Sequence, residues 1–114
     1  MFQKKECIFS DSIGPCVVED IVKLAAQKNA VPVPYYVLRS VTDKKKVSYI
    51  PVENHKALLR PLISLEEAQV VLQAAWDREN RGETVDRQGK LLQEALYIVD
   101  RAQKRMEELT NKDR

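Results

Sequence analysis

The feature that most constrains the fold is a change of hydrophobic period near Leu62. Before it, short stretches rich in Val, Ile and Tyr are separated by turn residues, a pattern typical of β-strands. After Ile63, apolar residues recur at three- and four-residue spacing, which is the period of an amphipathic helix. The sequence therefore predicts an α+β protein, with an all-β region over 1–63 and a helical region over 64–114.

Five strands are predicted in the first region. Tyr35–Val41 and Lys46–Ile50 flank the turn Thr42–Lys45, which predicts a hairpin with a basic tip. Pro51 cannot donate to a β-ladder and ends the fourth strand. The other three predicted strands are Cys7–Phe9, Cys16–Leu24 and Leu58–Leu62. So many short strands favour a small closed or nearly closed barrel, because closure removes exposed sheet edges.

The second region predicts two helices packed as an antiparallel hairpin. Ser64 and Glu67 have the spacing of a capping box, and Gly82 is a candidate stop for the first helix. Thr84 is a candidate cap for the second helix, whose apolar stripe becomes regular after Gly89. The first stripe comprises Leu65, Ala68, Val71, Leu72, Ala75 and Trp76, and the second comprises Leu92, Ala95, Leu96, Val99, Ala102, Met106 and Leu109.

The composition indicates a globular protein in the cytoplasm. Hydrophobic residues make up 44% and charged residues 32% of the 114 residues, and no apolar run approaches the roughly 20 residues that span a bilayer. Cys7, Cys16 and His55 provide three soft ligands, whereas structural zinc uses four, so we expect reduced thiols and no metal. A disulfide between the two cysteines remains an alternative, which a cytosolic location disfavours.

Residues that would support catalysis are sparse. The single histidine, His55, lies in a polar turn, and no spacing pairs it with a nucleophile. Gly14, Gly82 and Gly89 stand alone rather than in a phosphate-binding loop. We therefore expect neither an enzyme nor a bound cofactor.

Several segments, in order and in register, carry a family resemblance. They are Cys7–Phe9, Ile13–Ile21, Tyr35–Arg39, Tyr49–Asn54 and Leu59–Ala68. Together they resemble the CarD family of bacterial transcription regulators, which shares its N-terminal module with transcription-repair coupling factor. The resemblance covers roughly residues 2 to 72.

This resemblance implies a fold and a partner. The fold is a Tudor/SH3-like five-stranded β-barrel that binds the RNA polymerase β subunit through an edge strand, and the protein would lie at the nucleoid with the polymerase. The matching positions lie on the fourth predicted strand and are Lys46, Val47, Ser48, Tyr49 and Ile50. An edge strand offers backbone groups for β-augmentation, and an exposed Tyr49 would be a suitable anchor. Strand alternation alone leaves open that Tyr49 packs inside the barrel.

Promoter DNA is the second partner that the resemblance suggests, through Trp76 with Arg78 and Arg81 beside it. The net charge of the helical region argues against DNA binding. Residues 63–114 carry nine Lys and Arg against eleven Asp and Glu, a net charge of −2, whereas residues 1–62 carry ten against six, a net charge of +4. DNA-binding surfaces are normally basic, and an aromatic residue at helical spacing usually packs in the core. We therefore expect Trp76 in the core.

Two alternatives to the regulator remain. The near-heptad stripe from Leu92 to Leu109 favours an adaptor that docks on RNA polymerase and uses its helices to dimerise or bind another protein. Small barrels also serve many functions, so a different partner for the barrel, such as a nucleic acid, stays open.

Overall fold

The computed structural model describes residues 1–25, 27–53 and 55–112. The chain divides into two compact units, Met1–Leu62 and Ile63–Arg114. The first unit contains five strands, and the second contains two helices. The strands are β1 (Cys7–Ser10), β2 (Gly14–Leu24), β3 (Val33–Ser40), β4 (Val47–Pro51) and β5 (Leu59–Pro61), and the helices are α1 (Leu65–Asn80) and α2 (Lys90–Lys112).

The five strands form one antiparallel sheet in the order β4-β3-β2-β1-β5. The predicted α+β class and the five strands are confirmed. The predicted barrel closure is wrong, because β4 and β5 are the two edges and no ladder joins them within the described residues. β5 has only three residues, which is too short a strand to cover the whole of β4. A register shift between Val18 and Asp20 interrupts the β2–β3 ladder, and such bulges increase local twist.

Strand alternation divides the sheet into a core face and an outer face. The register places Val18, Leu38 and Ser48 side by side, and likewise Ile21, Tyr36 and Ile50. The buried residues of this core face are Ile8, Cys16, Val18, Tyr36, Leu38 and Ile50. Further apolar side chains from loops and strand ends pack on them, including Phe2 and Val52. The Tyr36 hydroxyl accepts a hydrogen bond from the Phe2 N–H at 3.0 Å, so the buried phenol has a partner.

The ends of α1 follow from their local sequence. The Ser64 hydroxyl oxygen accepts from the Glu67 N–H at 3.1 Å, which confirms Ser64 as the N-cap. At the other end, Gly82 has a φ of +83°, a conformation that glycine adopts readily. The Gly82 N–H donates to Glu79 and the Glu83 N–H donates to Arg78, the two bonds of a Schellman motif. Gly82 therefore stops α1, as predicted.

The two helices pack on each other through small and apolar side chains. The buried centre comprises Ala68, Leu72 and Ala95, and the surrounding residues are Ile63, Val71, Leu92, Ile98 and Val99. Thr84 does not cap a helix, because α2 begins only at Lys90. The Gln93 N–H donates to the Gly89 carbonyl oxygen, which makes Gly89 the residue before the first turn. Across the described residues, neither helix is long and apolar enough to cross a membrane.

Candidate protein-binding surface

The free edge of β4 presents backbone groups that no described strand pairs with. The Ser40 N–H donates to the Lys46 carbonyl oxygen at 3.0 Å, and the Val52 N–H donates to the Pro34 carbonyl oxygen at 3.0 Å. Since inward and outward groups alternate along an antiparallel strand, Ser48 and Ile50 also bond to β3. Val47 and Tyr49 therefore direct their N–H and C=O groups away from the sheet. Pro51 has no N–H and ends this row of donors.

The five positions predicted to bind RNA polymerase do not share one environment. The Tyr49 side chain is 57% exposed, so packing inside the fold, the alternative that alternation left open, does not occur. Val47 lies on the same face of β4 and is partly buried, and Lys46 is exposed just before the strand. Ser48 lies on the core face, and Ile50 belongs to the core. A partner at this edge would meet the side chains of Lys46, Val47 and Tyr49, but not that of Ile50.

Tyr49 is one of the residues that line a shallow depression on the outer face of the sheet. Val37 lies directly opposite Tyr49, and Arg39 lies opposite Val47. The depression is lined by Glu19, Asp20, Val22, Leu24, Val37, Arg39, Val47 and Tyr49. Its apolar members lie on three adjacent strands, so apolar side chains continue from the free edge across β4, β3 and β2.

Two ion pairs border this depression. The Arg39 Nε lies 2.8 Å from the Glu19 Oε2, and the Lys4 Nζ lies 2.9 Å from the Asp20 Oδ1. The hydrogen bond from Lys4, supported by one from the Ile21 N–H, lowers the pKa of the Asp20 carboxyl group. The polar border of the depression therefore carries charge of both signs.

The β3–β4 turn places a basic cluster at one end of the edge. Lys44, Lys45 and Lys46 are all exposed. The turn is held from inside, because the Ser40 hydroxyl oxygen accepts from the N–H groups of Thr42 and Asp43 at 3.2 and 3.1 Å. The predicted basic tip is thus an ordered feature beside Val47.

The three residues suggested for DNA contact do not form one surface. Trp76 is 47% exposed, so its predicted place in the core is wrong. Arg78 follows Trp76 by two residues, which places the two side chains about 200° apart around α1. Arg81 lies at the end of α1, where its Nη2 is 3.2 Å from the Glu83 Oε2. The exposed tryptophan therefore has no arginine of this set on its side of the helix.

The stripe suggested for dimerisation has two parts with different environments. Leu92, Ala95 and Val99 pack on α1. Met106 and Leu109 are 68% and 58% exposed. The stripe is thus partly used within the unit, and its accessible members include Leu96, which is 40% exposed, as well as Met106 and Leu109.

The soft side chains do not gather at a common site. Cys7 and Cys16 are not joined by a disulfide. Cys7 pairs with Val17 and Cys16 pairs with Ile8, so strand alternation directs the two thiols to opposite faces. The His55 Nδ1 lies 2.7 Å from the Ala57 carbonyl oxygen. Among the residues that the structure describes, no group of three His, Cys, Asp or Glu side chains could hold a metal ion.

Two positions of interest were not predicted from the sequence. Val37 lies opposite Tyr49 on the outer face of the sheet and is buried there, and pairing β3 with β4 across the Thr42–Lys45 turn would have revealed this position. Glu94 is completely buried on α2, although a carboxylate is rarely buried. Its position among Leu92, Ala95 and Ile98 on one helix face was the available signal.

Comparisons of the chain with protein-family models, with curated proteins and with solved structures each found no match.

Proposed function

We propose that this protein is a bacterial transcription regulator that docks on the RNA polymerase β subunit through β4 and modulates transcription initiation. The main support is the free edge of β4, where the outward N–H and C=O groups of Val47 and Tyr49 lie beside an exposed tyrosine side chain. This edge falls within the segment that resembles the CarD family. We further propose that the five-stranded sheet is a Tudor-like domain whose edges stay unpaired.

The chemistry of the edge suits an extended partner segment. Main-chain hydrogen bonds to Val47 and Tyr49 would supply a register-dependent contact, and alternate side chains would supply specificity. Tyr49 offers a large contact area with few rotatable bonds, a property of interface hot spots. Lys44 and Lys46 at the turn would favour acidic residues at one end of the partner strand.

Capture of the purified β-subunit lobe by the immobilised protein tests this proposal. Tyr49→Glu should abolish capture, because it puts a charge at the centre of the apolar contact. Leu58→Glu is a matched control, since Leu58 is 56% exposed and belongs to the same unit without being part of β4. If the Tyr49→Glu variant captures the lobe as well as the Leu58→Glu variant and the wild type do, β4 has no role in docking. Loss of capture by both variants would indicate damage to the fold.

An adaptor that binds polymerase without contacting DNA is the second candidate. The net charge of −2 over residues 63–114 favours it, as does the separation of Trp76 from Arg78 around α1. Electrophoretic mobility shifts with promoter DNA, with and without polymerase, distinguish the two candidates. The regulator requires Trp76→Ala to weaken the ternary complex, whereas the adaptor predicts no change.

A further inference from the structure

A groove within the helical unit has walls from three successive parts of the chain. One wall is α1, the second is the loop between the helices, and the third is the beginning of α2. Its volume is about 440 Å³, which is in the range of sites that hold small molecules. The residues that line it include Val71, Ala74, Ala75, Arg78, Val85 and Leu92.

The apolar side of this groove borders the core of the helical unit. Ala75 is buried, and Val71 and Leu92 pack against the buried cluster between the two helices. Ala74 is exposed and carries only a methyl group, so it leaves the space next to these side chains open. A hydrocarbon chain in this space would be removed from water, which is favourable.

The loop that forms the second wall is fixed to both helices through Arg87. The Arg87 Nη2 donates to both carboxylate oxygens of Glu79 on α1, at 2.7 and 2.9 Å. From α2, the Gln93 Nε2 donates to the Arg87 carbonyl oxygen at 2.6 Å. The groove is therefore formed without a ligand, as most small-molecule sites are.

Arg78 supplies a positive charge to the groove without a partner of its own. It is exposed, and its guanidinium group forms no ion pair or hydrogen bond within the part of the chain that the structure describes. The next residue, Glu79, is paired with Arg87. Lys90 also lines the groove, but it has an interaction of its own. A guanidinium group favours a carboxylate, whose two oxygens match two parallel N–H groups.

Asp86 limits the charge of a ligand, because it is an acidic side chain that also lines the groove. Its Oδ1 accepts from the Gln88 N–H at 3.0 Å, and its carbonyl oxygen accepts from the Gly89 N–H at 3.1 Å. Asp86 is thus part of the turn that leads into α2. A second negative charge on a ligand would be repelled by this carboxylate, so the groove favours a monoanion.

We propose that this groove binds a small monocarboxylic acid with a hydrocarbon chain. The chain contacts Val71, Ala75 and Leu92, and the carboxylate pairs with Arg78. Apolar burial supplies most of the affinity, and the ion pair supplies the preference for an acid, because an exposed ion pair contributes only a few-fold. The site lies entirely in the helical unit, so it is independent of the proposed docking through β4.

Titration of the full chain with octanoate, followed by backbone amide chemical shifts in nuclear magnetic resonance, tests the site. Octanoate should give saturable shifts at residues that line the groove. Octanol, which has a similar chain without the charge, should bind about fivefold more weakly, and acetate, which has no long chain, should not bind. The absence of saturable shifts with octanoate overturns the proposal, and so does octanol that binds as tightly as octanoate.

Two variants test the parts of the site separately. Arg78→Gln should weaken octanoate binding about fivefold and leave octanol binding unchanged. Arg105→Gln is its matched control, since Arg105 is exposed on α2 outside the groove. Ala74→Leu should weaken both ligands at least about tenfold, because the added side chain fills the groove. Gln69→Leu, at an exposed position of α1 outside the groove, is the control for this change.

Far-ultraviolet circular dichroism of each variant reports whether the helices are retained. Unchanged octanoate affinity in a folded Ala74→Leu variant would show that the ligand does not occupy the groove. Equal effects of Arg78→Gln and Arg105→Gln on octanoate binding would overturn the pairing of the carboxylate with Arg78.

Discussion

The fully buried carboxylate of Glu94 accepts a hydrogen bond from the Ile63 N–H, with 3.0 Å between Oε2 and N. Ile63 immediately precedes the N-cap of α1, so a side chain on α2 is hydrogen-bonded to the backbone at the beginning of α1. A buried polar group without a partner costs stability. The contact therefore fixes where α1 begins relative to the first turns of α2.

Glu94→Ala should destabilise the helical unit by about 1 to 3 kcal/mol, because it leaves the Ile63 N–H without this acceptor. Glu94→Gln keeps an acceptor oxygen and should cost less. Urea unfolding followed by the helical circular dichroism signal measures both effects. Glu108→Ala, on the exposed end of the same helix, is the control and should change the unfolding free energy by less than about 0.5 kcal/mol. A Glu94→Ala effect equal to this control would contradict the role assigned to Glu94.

The β-sheet unit depends on the packing of its interior strands, of which β3 is one. Leu38 on β3 is completely buried among the core residues, so Leu38→Ala should cost about 2 to 5 kcal/mol from lost burial and the remaining cavity. Leu58→Ala, at a mostly exposed position, should cost less than about 0.5 kcal/mol. Urea unfolding of both variants, followed by tyrosine fluorescence, gives the comparison. Similar losses for the two variants would argue against this core.

The strands and helices were predictable because local signals agree with the final fold. Alternation located β1 to β5, and Ser64 and Gly82 marked the ends of α1 correctly. Closure of the barrel was not predictable, because it depends on whether β4 and β5 meet in space. The prediction that Thr84 caps the second helix is wrong, because the residue types that cap helices are also common in turns. α2 instead starts after Gly89.

The position of β4 was predictable from the sequence, but which of its side chains are exposed was predictable only in part. Alternation places Val47 and Tyr49 on one face and Ser48 and Ile50 on the other, but the choice of buried face depends on what the rest of the unit covers. Trp76 shows the same difficulty on a helix. Trp76 continues the apolar stripe of Leu72 along α1. Leu72 is buried in the helical core, whereas Trp76 is exposed. The difference depends on how the two helices cross.

Cys16 should make the stability of the sheet unit sensitive to alkaline pH. Burial, with a smaller contribution from Cys7, raises the pKa of the Cys16 thiol from 9.0 to about 12. Above pH 9.0 the unfolded state releases this proton while the folded state keeps it, so stability falls as the pH rises from 9.0 towards about 12. Below pH 9.0 the thiol is protonated in both states, and this contribution is absent.

Urea unfolding one pH unit below and one pH unit above 9.0 measures this effect. The Cys16→Ala variant should lose less stability over this interval than the wild type, although it starts from a lower value because of the cavity. An equal loss in both proteins would assign the alkaline effect to other groups. Alkylation gives an independent measurement, since the buried Cys16 should react far more slowly than the partly exposed Cys7 in the folded protein.

The most direct test of the central claim is amide exchange at the β4 edge, measured residue by residue by nuclear magnetic resonance. In the free protein, the N–H groups of Ser48 and Ile50 bond to β3 and should exchange slowly, whereas those of Val47 and Tyr49 should exchange fast. Addition of the RNA polymerase β-subunit lobe should slow exchange at Val47 and Tyr49, because a partner strand would accept hydrogen bonds from them. Unchanged exchange at both residues in a saturated complex would contradict docking through β4.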